Sequence, residues 1–331
     1  MNFTSKRQTI VTAKTDNTGE DIITETAFQN IKPGVYFLDE INNGINDLFH
    51  IPSAVLPIDK NLYYNNNSNA VTVSNLKKIT NENNVKGTFI VTTDRIDDKI
   101  DISKIFFPIN EDRIYISDSS HLQRDNIDIS GDITYTSNRD KKYFENNFKF
   151  KVFLNDASGK ILSSSNNYNQ SYELPKFAIA NDIELITRIS GNKSFRLNAQ
   201  LRFTNQDQHM AVKHQEPISG YNTVSLTQNI NAKSFEGDIF TKFSSRKHNA
   251  TYSITPGIRL SYNRYNSEFE PFSDTTLNNI SLLSLQPYIR PEFVFTSRKL
   301  NINLKYKPFE KFNSTCSQTF DNCIFATFNS N

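Results

Sequence analysis

The chain has 331 residues, 37% of them hydrophobic, with 26 Phe, 14 Tyr, no Trp and only 10 Gly; it is long enough for a sizeable core but poor in aliphatic material to fill one. Its 37 Lys and Arg and 35 Asp and Glu leave a formal charge of +2 with the two signs interspersed, so no basic cluster marks a nucleic-acid surface and no such partner is expected. Two cysteines, Cys316 and Cys323, exclude a disulfide-stapled or cysteine-ligated fold, and no apolar run is long enough for a helical membrane span.

The first residues, MNFTSKRQTIVTAK, lack the apolar stretch of an export signal. Beyond them the sequence reads as period-two alternation, which predicts strands with one apolar face. Ile127, Ile129, Ile133 and Tyr135 alternate with Asp128, Ser130, Asp132 and Thr134, and Phe148, Phe150, Val152 and Leu154 alternate with Lys149 and Lys151. In SFRLNAQLRF (194–203), Phe195, Leu197, Leu201 and Phe203 share one face, opposite Arg196, Asn198, Gln200 and Arg202. Ile254, Ile258 and Leu260 stand opposite Arg259; Leu283 to Phe295 and Leu300 to Tyr306 repeat the rhythm. Helical spacing is nearly absent, so the chain is all-β.

The connections come in two kinds. Short polar breaks fall at 80–84, 137–141, 190–194, 245–249 and 297–299, and longer Asn- and Ser-rich segments at 17–69, 95–114, 156–172, 205–222 and 265–280. This layout predicts an antiparallel up-and-down meander of about eleven strands, with tight turns at one end and long loops at the other. Hairpins need only a few residues, so loops that are long on one side only point to a transmembrane barrel, whose strands cross in about 9 to 11 residues with apolar side chains outward and polar ones inward. Phe195, Leu197, Leu201, Phe203, Ile254, Ile258 and Leu260 are the expected lipid-facing residues. Arg196, Asn198, Gln200, Arg202 and Arg259 are the expected lumen-facing ones. Tyr143, Phe144, Tyr262, Tyr265 and Phe295, near strand ends, suit an interfacial aromatic girdle. Pro287 and Pro291 sit within one alternating run, where each removes a ladder donor.

Several segments resemble the barrel of a TonB-dependent outer-membrane receptor of the Bacteroidetes type, from the group with a carboxypeptidase-like regulatory domain. They are KTDNTGEDIITET (14–26), SGDITYTSNRDKKYFENNFKFKVFLNDASGKI (130–161), NQSYELPKFAIANDIELITRISGNKSFRLNAQLRF (169–203) and LQPYIRPEFVFTSRKLNINLKYKPF (285–309). The resemblance covers roughly 5–310 and implies an outer-membrane location, ligand capture by outer loops, and nutrient uptake through a plugged barrel energised from the inner membrane. Its implied partners are outer-membrane lipid, the remaining barrel and plug segments, and TonB-type coupling through a missing N-terminal part. No plug, TonB box or regulatory domain is recognised, and family barrels have twenty-two strands; the chain is therefore expected to be a partial barrel over 1–310, not transport-competent alone, with an irregular polar tail over 311–331. The alternative is a secreted or surface β-sandwich module binding a glycan or protein through its loops.

No catalytic, cofactor or metal site is expected. His209 and His214, five apart on a strand, point to opposite faces. Asp94, Asp97, Asp98 and Asp101 lack the spacing and glycine of a calcium loop; NTGED (17–21) reads as a turn; Cys316 and Cys323 lack zinc spacing. No GxSxG, HExxH, P-loop or GxGxxG occurs, so no enzymatic activity is expected.

Overall fold

The computed structural model describes residues 2–3, 6–17, 65–106, 114–163, 167–217, 223–270, 278–296, 301–305 and 312–317. Within them lie β1 (Asn2–Phe3), β2 (Arg7–Asp16), β3 (Asn66–Lys78), β4 (Asn83–Phe106), β5 (Ile114–Arg139), β6 (Lys142–Ser163) and β7 (Asn167–Glu173). The second half holds β8 (Lys176–Ser190), β9 (Lys193–His214), β10 (Ser225–Lys247), β11 (Ala250–Glu270), β12 (Asn278–Thr296), β13 (Asn301–Lys305) and β14 (Phe312–Ser317).

All fourteen belong to one sheet and every pairing is antiparallel. β7 and β8 both lie between β6 and β9, as one strand broken at Leu174–Pro175; β13 and β14 pair successive parts of β12. With these pairs merged and the two-residue β1 set aside, the meander has eleven strands, in agreement with the sequence. The described residues form a single sheet and not the two stacked layers of the sandwich alternative.

Tight turns join β5 to β6 at Asp140 and Lys141, β8 to β9 at Gly191 and Asn192, and β10 to β11 at His248 and Asn249, all at one end. His248 adopts φ 53°, a left-handed conformation suited to a two-residue hairpin and better tolerated by His than by most residues.

The long loops require correction. β4 and β5 pair as far as Phe106 with Ile114, β6 runs to Ser163, β9 to His214 and β11 to Glu270. Much of 95–114, 156–172, 205–222 and 265–280 is therefore strand, as are 66–69 of the first expected loop. The tail expected to be irregular from 311 begins with β14. Asn, Asp and Ser are depleted in strands, and their density in these stretches reads as loop although the backbone remains in register.

The two prolines have a structural setting. On the β11 side Pro287 faces Ile258 and Pro291 faces Ile254, and the residues that the register of β13 and β14 would place on the other side of the two prolines lie outside the described residues.

Candidate functional site: a charged wall behind an apolar band

The register lines up alternate residues across the sheet into rows on two opposite faces. One face carries Phe89, Ile127, Ile133, Phe148, Leu154, Phe177, Leu201, Ile239, Phe243, Ile254, Ile258, Leu285 and Ile289, all large apolar side chains left exposed. They form a continuous band: Phe203 faces Phe235, which faces Tyr262, which faces Leu283. On β9 the band occupies 195–203 and on β10 235–243, close to the roughly 9 to 11 residues that cross a hydrocarbon layer. Asn146 and Asn181 interrupt it, Asn181 lying between Phe148 and Leu201.

At the same level the other face is polar and crowded. Ser130, Asp132, Asn147, Lys149 and Asn198 are buried, an inversion of the usual water-soluble pattern, in which polar side chains stay outside. Opposite charges meet across the strands: Lys151 with Asp128 at 2.9 Å, Lys149 with Asp182 at 3.1 Å, Arg196 with Glu184 at 2.5 Å, Lys242 with Glu292 at 2.7 Å and Arg259 with Asp238 at 2.8 Å. Lys151 and Asp128 are 13% and 12% exposed, where an unpaired charge would be expensive, so each requires its partner.

Two contacts reach over an intervening strand. The Tyr288 hydroxyl on β12 donates to Asp238 on β10 at 2.7 Å, and Lys242 on β10 reaches Glu292 on β12. Both pass β11. Gly257 makes room for the first: a Cβ there would lie 2.4 Å from Tyr288 Cζ and 2.8 Å from Phe240 Cβ. Burial tells the two faces apart: Ser130, Asp132, Lys149 and Asn198 are buried on the charged face while the large apolar side chains of the other are exposed, which makes the charged face the inner one. On the outer face Gly131 plays the complementary part, with Phe89 and Phe150 meeting above it at 6.4 Å between centroids.

The expected site residues follow these faces. Phe195, Leu197, Leu201 and Phe203 share the parity of the exposed apolar band, as do Ile254, Ile258 and Leu260. Arg196, Asn198, Gln200, Arg202 and Arg259 share the inner parity; Arg202, Gln200 and Arg259 line a recess of about 360 Å³ with Glu236, Asp238 and Gln286. The carboxylates that pair with the bases, Asp128, Asp182, Glu184, Asp238 and Glu292, were absent from the expected set. Their signal was available, since each occupies the polar parity of its own strand. The aromatic girdle needs correction at Tyr143 and Tyr265: both have inner parity, and the Tyr143 hydroxyl bonds Glu145 beside it.

The weighed chemistry is scattered. His209 bonds Asn229 and His214 bonds the Glu216 carbonyl oxygen. Asp94 accepts from Ser68 on the inner face, whereas Asp97 faces outward and bonds His121 at 2.7 Å. Burial is the largest single influence on the Asp97 carboxyl and pushes it up, but His121, Gln123 and Lys99 together outweigh it and hold the group below its ordinary value of 3.8. Cys316 lies on β14; Cys323 and most of NTGED lie outside the described residues. Among the described residues no three metal-ligating side chains converge.

Fold and faces together define an all-β, up-and-down antiparallel meander with a polar inner wall. No family model matches the chain, and comparison with curated proteins gives no match. Among solved structures it is similar to the ferric-catecholate import receptor Fiu from E. coli K12 in its open form, at a TM-score of 0.30 and 7% identity. The match covers 77% of this chain and 46% of the receptor, so the chain spans less than half the length of that protein.

Proposed function

We propose that the chain forms part of the wall of a transmembrane β-barrel in an outer membrane, and that the barrel serves ligand uptake rather than catalysis. One observation carries this reading: at the level of the band the outer face carries exposed apolar side chains, while the inner face is polar and ion-paired and holds Ser130, Asp132, Lys149 and Asn198 buried. Burying a Leu or Phe is worth roughly 1.5 to 3 kcal/mol, and the thirteen exposed apolar side chains of the band named above would forgo that gain in water. Lipid on the outside and water or a polar filling on the inside accommodate both faces.

The finer assignment rests on the sequence resemblance. In it, outer loops capture a ligand, the charged inner wall borders its path, and a plug supplied by other segments gates passage under TonB-type coupling, as in the Bacteroidetes-type group with a carboxypeptidase-like regulatory domain that the segments resemble. Among the described residues the sheet ends at β1 on one side and at β13 and β14 on the other, and edges of that kind favour association with further barrel segments, because an unpaired backbone group in hydrocarbon costs several kcal/mol.

The test is refolding of the full chain into detergent micelles and lipid vesicles. Expected is strand-rich circular dichroism, with fluorophores attached at position 201 or 239, inside the 195–203 and 235–243 bands, quenched by lipid-resident quenchers. A chain that is monomeric, folded and soluble without detergent, with those positions accessible to water-soluble quenchers, would overturn the proposal.

A further inference from the structure

Above the apolar band the outer face changes sign. One register row reads Lys99, His121, Lys160, Asn169, Lys213 and Ser225, each residue facing the next across β4, β5, β6, β7, β9 and β10. Alternation places all six on the same face as Leu154 and Phe203. Lys160 and Lys213 are exposed and, among the described residues, have no carboxylate within ion-pairing distance. Together with His121, Ser158, Asn169 and Ser171 they line a recess of about 400 Å³.

We infer that this recess binds the acidic saccharide portion of a glycolipid in the surrounding outer leaflet, with Lys160 and Lys213 meeting its phosphate or carboxylate groups and the hydroxyl and amide side chains meeting its sugar hydroxyls. The inference rests on the barrel reading above, because only a lipid-surrounded chain presents this face to a leaflet. Height selects the ligand. Lys160 lies six residues beyond Leu154, about 20 Å along the strand and about 15 Å above the hydrocarbon edge at a barrel tilt near 40°. Phospholipid headgroups extend only about 5 to 7 Å beyond that edge, so a lipid reaching the row must carry an extended headgroup. Charge selects it too. The row four residues nearer the band, roughly 13 Å below and beyond a physiological Debye length, holds Asp125, Asp156 and Glu173 with Arg95 and His209. The Arg95 guanidinium lies 3.7 Å from Asp125, which leaves that row net acidic. Asp97 in the intermediate row is engaged by His121, and Asp101, two residues beyond Lys99 on the same face, stands two strands from Lys160. An anion is therefore drawn to the upper row and not to the lower one.

The experiment uses the full chain in detergent micelles, titrated with phosphorylated lipopolysaccharide, its dephosphorylated form, phosphatidylglycerol micelles and inorganic phosphate. Expected is retention of the phosphorylated lipopolysaccharide, weakened roughly twenty-fold by Lys160→Ser with Lys213→Ser, restored by the paired Arg substitutions, and reduced by salt. Unchanged binding by the serine pair overturns the inference. So does equal competition by phosphatidylglycerol or by inorganic phosphate, which would assign the row to any anion. If the chain does not enter micelles, the barrel reading fails and this inference falls with it; insertion with lysine-independent binding overturns the inference alone.

Discussion

On β9, residues 195–203 and 205–213 belong to one unbroken strand and obey one alternation, yet their outer faces differ. In the first stretch Phe195, Leu197 and Phe203 face outward and Asn198 is buried inward; in the second, Asp207 and Lys213 are exposed outward, while inward the buried Gln206 and Gln208 give way to Met210. There it packs against Leu122, Ala157, Tyr172 and Leu174. β4, β5, β6, β10 and β11 switch at neighbouring register positions, for example between Thr93 and Arg95 and between Tyr262 and Arg264. Backbone geometry is common to both regions, so the difference belongs to what surrounds them. On the barrel reading proposed above, the portion with apolar side chains outward lies at the level of the lipid and the portion without them at the level of the water.

The strongest way to break this comparison is to place the same charge in both regions. Leu201→Arg is expected to cost about 2 to 4 kcal/mol of stability in lipid vesicles, whereas Asn205→Arg, four residues on along the outer face, costs less than about 1. Equal effects by denaturant titration would remove the boundary. Next, Gly257→Val puts a side chain where Tyr288 crosses β11; overpacking of about 1 to 3 kcal/mol is expected, and Tyr288→Ala in the same chain should relieve most of it. Asn181→Leu, which completes the outer band between Phe148 and Leu201, should raise stability in lipid by about 1 kcal/mol and lower solubility without detergent, a divergence that sharpens the contrast. Asp238→Asn weakens the Arg259 pair and the Tyr288 bond together, by about 1 kcal/mol, Arg259 being nearly half exposed.

The smallest effect belongs to the water-level region. Asp97 sits below its ordinary carboxylate value when folded, so its contribution is present above that value and is lost as pH falls through the folded one. The loss therefore falls below pH 3.8, and with Asp97 about one-third exposed it amounts to less than about 0.5 kcal/mol. Acid titration of Asp97→Asn against the parent chain should differ only in that window; a difference near neutral pH would show another group to be responsible.

Much of the inner and outer faces was legible beforehand because a strand has period two: once Phe195 and Leu201 share a face, Arg196 and Arg202 must share the other. The length of the strands was not legible. Residues 205–213 and 156–163 contain Asn, Asp, Ser and Gly, and their apolar positions had changed face, so they read as loop. The pairing acids escaped for a related reason: Asp238 stands 21 positions from Arg259 and Glu292 50 from Lys242, and nothing local ties either acid to its base.

The sequence by itself determined the strand class, the up-and-down order, the tight-turn end and the two faces of the segments that carry the apolar band, since alternation and turn chemistry are local properties of the chain. Only the tertiary structure decided where each strand stops, that one sheet and not two holds the described residues, and which charges meet. Those depend on register between residues tens of positions apart and on curvature, through which Tyr288 reaches Asp238 across a glycine. Neither quantity is carried by any short stretch of residues.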